Sequence, residues 1–230
     1  MRAAAVALVA WAAWSPGAAH AEVAAADPID VAMRQCFARR DRSSTAGQIQ
    51  CVDDARQQWQ TVMDAAYQRL QRDGNRTARR GWQASQRRWL AWRKDEALLL
   101  KAVYETTRGT MYAMASADVQ MQPVRDRALV LRAVADRYAQ PDGDRDPVHR
   151  MRPCTRDAAC EHALFDMNRY YAKLRSRMPA RSVATLVRAQ RAWIAFRDAT
   201  TPLVADTDRI DLIGARVATL KRLSETVGNK

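Results

Sequence analysis

The residue types that carry most enzyme chemistry are sparse in this chain. Beyond residue 21 only two histidines occur, His149 and His162. Acids are plentiful, but they alternate with arginines in helix-like stretches, where such pairs form solvated faces. No glycine-rich phosphate loop and no nucleophile–base constellation is present. The remaining reactive groups are four cysteines, Cys36, Cys51, Cys154 and Cys160. A metal reading would join Cys154, Cys160, His162 and His149, but that spacing fits no standard zinc arrangement. In an exported chain an even cysteine count reads as disulfides, and oxidised cysteines are not nucleophiles. The expectation is a binding protein and not an enzyme, with no catalytic residues, no metal and no cofactor.

Three pairings of the cysteines exist. Local pairing, Cys36 with Cys51 and Cys154 with Cys160, is expected because each pair flanks one short loop. Closing a loop of this size contributes about 3 kcal/mol in the chain-entropy model for the first pair, and less for the second.

The N-terminus supplies the expectation of export. Arg2 precedes an apolar run from Ala3 to Trp14, Ser15-Pro16-Gly17 breaks it, and Ala19-His20-Ala21 is a small-x-small site. This is the layout of a signal peptide cut near Ala21. The run is shorter than the ~20 residues that span a bilayer. The expected location is periplasmic or secreted. Removing the signal peptide lowers the formal charge from +13 to +12, because Arg2 is lost.

The elements that must position any site are helices. Glycine and proline number 8 each in 230 residues, while alanine, arginine, leucine and glutamine abound, a composition that favours helix. The chain divides at Gln140–Pro153, rich in Pro, Asp and Gly. Around this linker the sequence repeats at an offset of 104. Gln86-Arg87-Arg88-Trp89-Leu90-Ala91-Trp92-Arg93 matches Gln190-Arg191-Ala192-Trp193-Ile194-Ala195-Phe196-Arg197, and Met63, Tyr67 and Leu70 match Met167, Tyr171 and Leu174. A duplication explains matches at constant offset. The expected domains are a signal peptide over 1–21, a first helical domain over 22–139, a linker over 140–153 and a second domain over 154–230.

Each half reads as three helices. In the first they run about 48–72, 76–106 and 118–138, and Pro123, inside the first turns of the third, points to a start later than Asp118. In the second they run about 157–177, 182–200 and 206–227. Asp27-Pro28 suits the start of a short extra helix before Cys36. The fold class is all-α: two tandem three-helix antiparallel bundles, each with a local disulfide.

Gln86, Trp89 and Arg93 share one helical face, as do Gln190, Trp193 and Arg197. The indoles are expected in the core, with Gln and Arg bonding to neighbouring helices, to backbone carbonyls or to acids such as Asp64. A ligand-binding role is the competing reading; buried polar groups are more often satisfied core members. With its cysteine pairs, Tyr-x-x-Leu segments, repeated Gln-x-x-Trp-x-x-x-Arg, the Gly109-Thr110-Met111-Tyr112 turn, Arg127 and Gly214, the sequence resembles the LprI-type lysozyme inhibitor family, in two tandem copies. The resemblance implies a cell-envelope protein that inhibits a lysozyme by direct contact.

Two departures stand out. The family often carries a second cysteine pair; here Ala97 and Thr201 stand where the first of those cysteines would be, and none follows in either half. The chain is also strongly basic, whereas an inhibitor of a basic lysozyme needs acids at the contact. Arg76, Arg79, Arg80, Arg87 and Arg88 crowd one helix as candidate anion-binding residues. They read either as a solvated surface or as attraction to anionic glycan or lipid without enzyme inhibition. Export disfavours nucleic acid.

Overall fold

The computed structural model describes residues 26–140 and 151–229. The expected signal peptide and most of the linker, with His149, lie outside the described residues. Among the described residues there are seven α-helices and no strand: α1 Pro28–Phe37, α2 Thr45–Asp73, α3 Arg76–Tyr104, α4 Thr110–Ala139, α5 Ala158–Arg177, α6 Val183–Thr200 and α7 Asp206–Thr226. None of these helices is long and apolar enough to cross a membrane.

Local chemistry sets most boundaries. Asp27 caps α1 through a bond from the Ile29 N–H, ahead of Pro28 in the first turn. Ser44 caps α2, Asn75 caps α3 and Asp157 caps α5, each accepting a backbone N–H of the first turn. Gly109 opens α4 at φ +108°, a left-handed conformation that suits glycine. The start of α4 departs from expectation. The helix begins at Thr110 and runs through Pro123, although an interior proline removes one hydrogen bond and crowds the preceding turn. Packing along α2 overrides this local cost.

Both disulfides are local, Cys36–Cys51 and Cys154–Cys160, with Cα–Cα distances of 5.7 and 5.1 Å. The first ties α1 to the first turns of α2. Two ion pairs bind α1 on its other side to α4: Asp30 with Arg125 at 2.6 Å and Asp27 with Arg132 at 2.7 Å.

In each half the outer helices run side by side in the same direction. Arg69 near the end of α2 meets Asp136 near the end of α4 at 2.7 Å. Arg209 at the start of α7 meets Asp157 at the start of α5, and Arg177 at the end of α5 reaches the Ser224 carbonyl. The middle helices, α3 and α6, run antiparallel against each other. Gly81 lies against Leu203, just past α6; a Cβ at Gly81 would come within 2.6 Å of a Leu203 methyl. Ser85 meets Thr200, and Trp92 stacks on Phe196 with centroids 5.4 Å apart. Residues 92 and 196 are equivalent at the repeat offset, so the internal twofold axis passes through this stack. Two three-helix units therefore join through their middle helices, and one continuous apolar core runs through both.

Candidate functional site

The repeated motif sits at the centre of this junction. Trp89 and Trp193 are buried, as are Gln86 and Gln190. Each glutamine oxygen accepts a bond from an arginine on the third helix of its own half. Arg127 Nε lies 3.2 Å from Gln86 Oε1, and Arg216 Nε lies 3.0 Å from Gln190 Oε1. Both guanidinium groups lie over aromatic rings: Arg127 between Trp82 and Phe196, Arg216 over Trp193.

The two arginines differ in how their charge is met. Arg216 Nη1 donates to Glu96 Oε1 at 2.6 Å, and both side chains are 1% exposed. The other Glu96 oxygen accepts from Trp92 Nε1 at 3.0 Å. This buried pair crosses between the halves, α3 to α7. Arg127 has no such partner among the described residues. Its Nη2 donates to Ser85 Oγ at 2.9 Å, and Ser85 is bonded in turn to Thr200. Its Nη1 meets no acceptor among the described residues. Burial pulls the Arg127 guanidinium down to about 9, which leaves it charged at neutral pH.

The motif arginines also diverge. Arg93 reaches across to the Gln120 carbonyl of α4 at 3.1 Å, and burial lowers its basicity, with Glu96 opposing. Arg197 does not cross to another helix; it lies over Trp193 and bonds its neighbour Asp198. Asp64 serves Gln60 within α2 and takes no part.

Arg127 and Arg216 line a cleft of about 570 Å³ between α4 and α7. Its floor is aromatic, from Trp89, Trp92, Trp193 and Phe196. Its walls are mainly aliphatic, and its rim carries Asp126, Asp208, Asp211 and Arg222. Desolvation pushes the Asp126 carboxyl up to about 6, with Arg125 opposing. A volume of this size, apolar with a few convergent polar groups, is typical of a ligand site.

Sequence reasoning missed Glu96 and Arg216, and it read Arg127 only as part of a resemblance. A signal was present. Glu96 falls on the stripe Trp89, Trp92, Leu99, Val103, and Arg216 falls between Ile213 and Leu220 at steps of three and four. A charged residue on an apolar stripe marks a buried polar cluster. Gly214 lies inside α7, within the helix expected over 206–227, with open space around its Cα.

Arg76, Arg79, Arg80, Arg87 and Arg88 are all exposed on α3, away from the cleft lining. None of the five has a carboxylate partner among the described residues. His162 lies on the surface beside Asp166. Among the described residues no group of three or more His, Cys, Asp or Glu side chains is placed to hold a metal ion.

The chain is 76% identical to an uncharacterized protein from Burkholderia thailandensis whose crystal structure is known. That match covers 89% of this chain and 100% of the other, with a TM-score of 0.86. No curated protein matches. Residues 25–131 and 148–224 match the family described as "Lysozyme inhibitor LprI", one stretch in each half. With its duplicated motif, its two local disulfides and these two matched stretches, the chain belongs to the LprI lysozyme inhibitor family.

Proposed function

We propose that this protein is an exported, non-catalytic binding protein that inhibits a lysozyme by direct contact. The observation that carries this reading is the family match across both halves. The charge distribution supports it. Although the chain is basic overall, Asp126, Asp208 and Asp211 line the cleft between α4 and α7 together with Arg127, Arg216 and Arg222, and the first two of these arginines are buried. Arg216 is held by Glu96 and Arg222 by Asp118, which leaves the rim carboxylates as the charges a basic lysozyme would contact there. The arginines of α3 lie outside that lining, so they need not oppose the approach.

The test is a turbidity assay with purified mature protein, a lysozyme and bacterial cell walls. Inhibition is expected to saturate near a stoichiometric ratio. Unslowed clearing at a large molar excess overturns the reading.

A second reading rests on the five exposed arginines of α3, which have no carboxylate partner among the described residues: binding to anionic glycan or lipid without inhibition. Such binding weakens steeply with salt, since exposed charges are screened beyond ~8 Å at physiological ionic strength. Retention on an anionic polymer that is insensitive to salt removes it.

A further inference from the structure

The internal repeat provides a comparison within one molecule. Arg127 and Arg216 hold equivalent places: each donates Nε to the motif glutamine of its half. Arg216 Nη1 then meets Glu96. The residue equivalent to Glu96 at the offset of 104 is Thr200, whose hydroxyl bonds Ser85 and the Phe196 carbonyl instead. The residue equivalent to Trp92, which supplies the second donor to Glu96, is Phe196, which has none. The second half thus has neither the carboxylate nor its indole partner, while the arginine they would face, Arg127, is present. Among the described residues each arginine keeps one Nη without an acceptor, Nη1 in Arg127 and Nη2 in Arg216; the difference is that Nη1 binds a carboxylate, Glu96, in Arg216 and nothing in Arg127.

A buried guanidinium without a carboxylate is costly, and proteins retain such groups where something completes them. Arg127 is 3% exposed, and it lines the cleft together with Thr200 and the aromatic floor. We propose that this cleft binds a small organic carboxylate with an apolar body, its carboxylate taking the place at Arg127 that Glu96 takes at Arg216. The apolar body lies on Trp89, Trp92 and Phe196, between walls that include Val130 and Leu212. Charge-assisted bonds from an arginine suit a carboxylate, and the apolar aromatic surroundings strengthen them. Reduced basicity of Arg127 from burial fits a cation held ready for an incoming anion. The inference goes beyond lysozyme inhibition and does not depend on it.

The experiment is calorimetric titration of the intact mature protein, without lysozyme, using octanoate and benzoate, each against its uncharged amide. The acids are expected to bind at least about tenfold more tightly than the amides, the worth of a hydrogen bond to a charged group. Thr200→Glu should abolish this preference by restoring the internal partner, and Arg127→Met should abolish it by removing the cation. Equal binding of acid and amide to the wild type overturns the proposal, as does the absence of acid binding at millimolar concentration. So does an acid preference that survives in either variant. If a variant fails to fold, the wild-type comparison of acid with amide still decides.

Discussion

At the residue scale, the two halves solve the same problem differently. Trp89 and Trp193 fill equivalent core positions, and each is within 3% of complete burial. Trp89→Ala and Trp193→Ala should each destabilise the protein by about 3–5 kcal/mol in urea unfolding, the usual loss for a large aromatic in a core. Glu96→Gln should be comparably harmful, about 3–5 kcal/mol, because it leaves Arg216 charged and buried without a counter-ion. Replacing both partners by methionine should recover most of that loss, which separates a broken ion pair from a damaged core. Asp126 supplies a pH dependence. Its folded-state carboxyl holds a proton up to about pH 6, while an unfolded aspartate releases it near ~4. The folded protein therefore binds more protons in that window, and this group's contribution to stability falls as pH rises through it. Asp126→Asn should flatten that part of the stability–pH profile and leave the protein more stable at pH 7. A carboxyl carbon resonance titrating in the ordinary aspartate range contradicts the assignment. The motif tryptophans were legible because a large apolar indole on a helical stripe is driven into the core. Glu96 and Arg216 were not singled out, since their abundance elsewhere as surface residues hid two that lie on buried stripes.

At the element scale, the helices follow from caps and periodicity. The boundaries of α3, α5, α6 and α7 lie within two residues of the sequence reading because Asn75, Asp157, Pro179 and Pro202 punctuate them. α4 was less legible. Pro123 suggested a late start, but α4 packs beside α2 along its length, and that tertiary contact carries the helix past the proline. The disulfides are element-scale devices: Cys36–Cys51 closes 15 residues around the α1–α2 junction. Cys36→Ser with Cys51→Ser should lower stability by about 3 kcal/mol, and the corresponding change at Cys154 and Cys160 by less. Non-reducing peptide mapping should recover both local bridges and no bridge between the halves.

At the scale of the whole molecule, the repeat is visible in the sequence but the junction is not. Periodicity shows which face of α3 is apolar; it does not say that this face meets α6. The stacked Trp92 and Phe196, the Ser85–Thr200 bond and the Glu96–Arg216 pair tie the halves into one core. The two family copies should therefore unfold together in a single cooperative transition, with coincident tryptophan fluorescence and circular dichroism curves. Two separated transitions would show that the halves fold independently. The cleft belongs to neither half alone, because α4 forms one wall and α7 the other. Lysozyme contact is proposed at this shared cleft. Its most direct test is cell-wall clearing by a lysozyme in the presence of the wild-type protein or of the double variant Asp126→Lys, Asp211→Lys. The wild type should slow clearing, and the double variant, folded by circular dichroism, should lose most of that effect. Undiminished inhibition by the variant, or none by the wild type, contradicts the account.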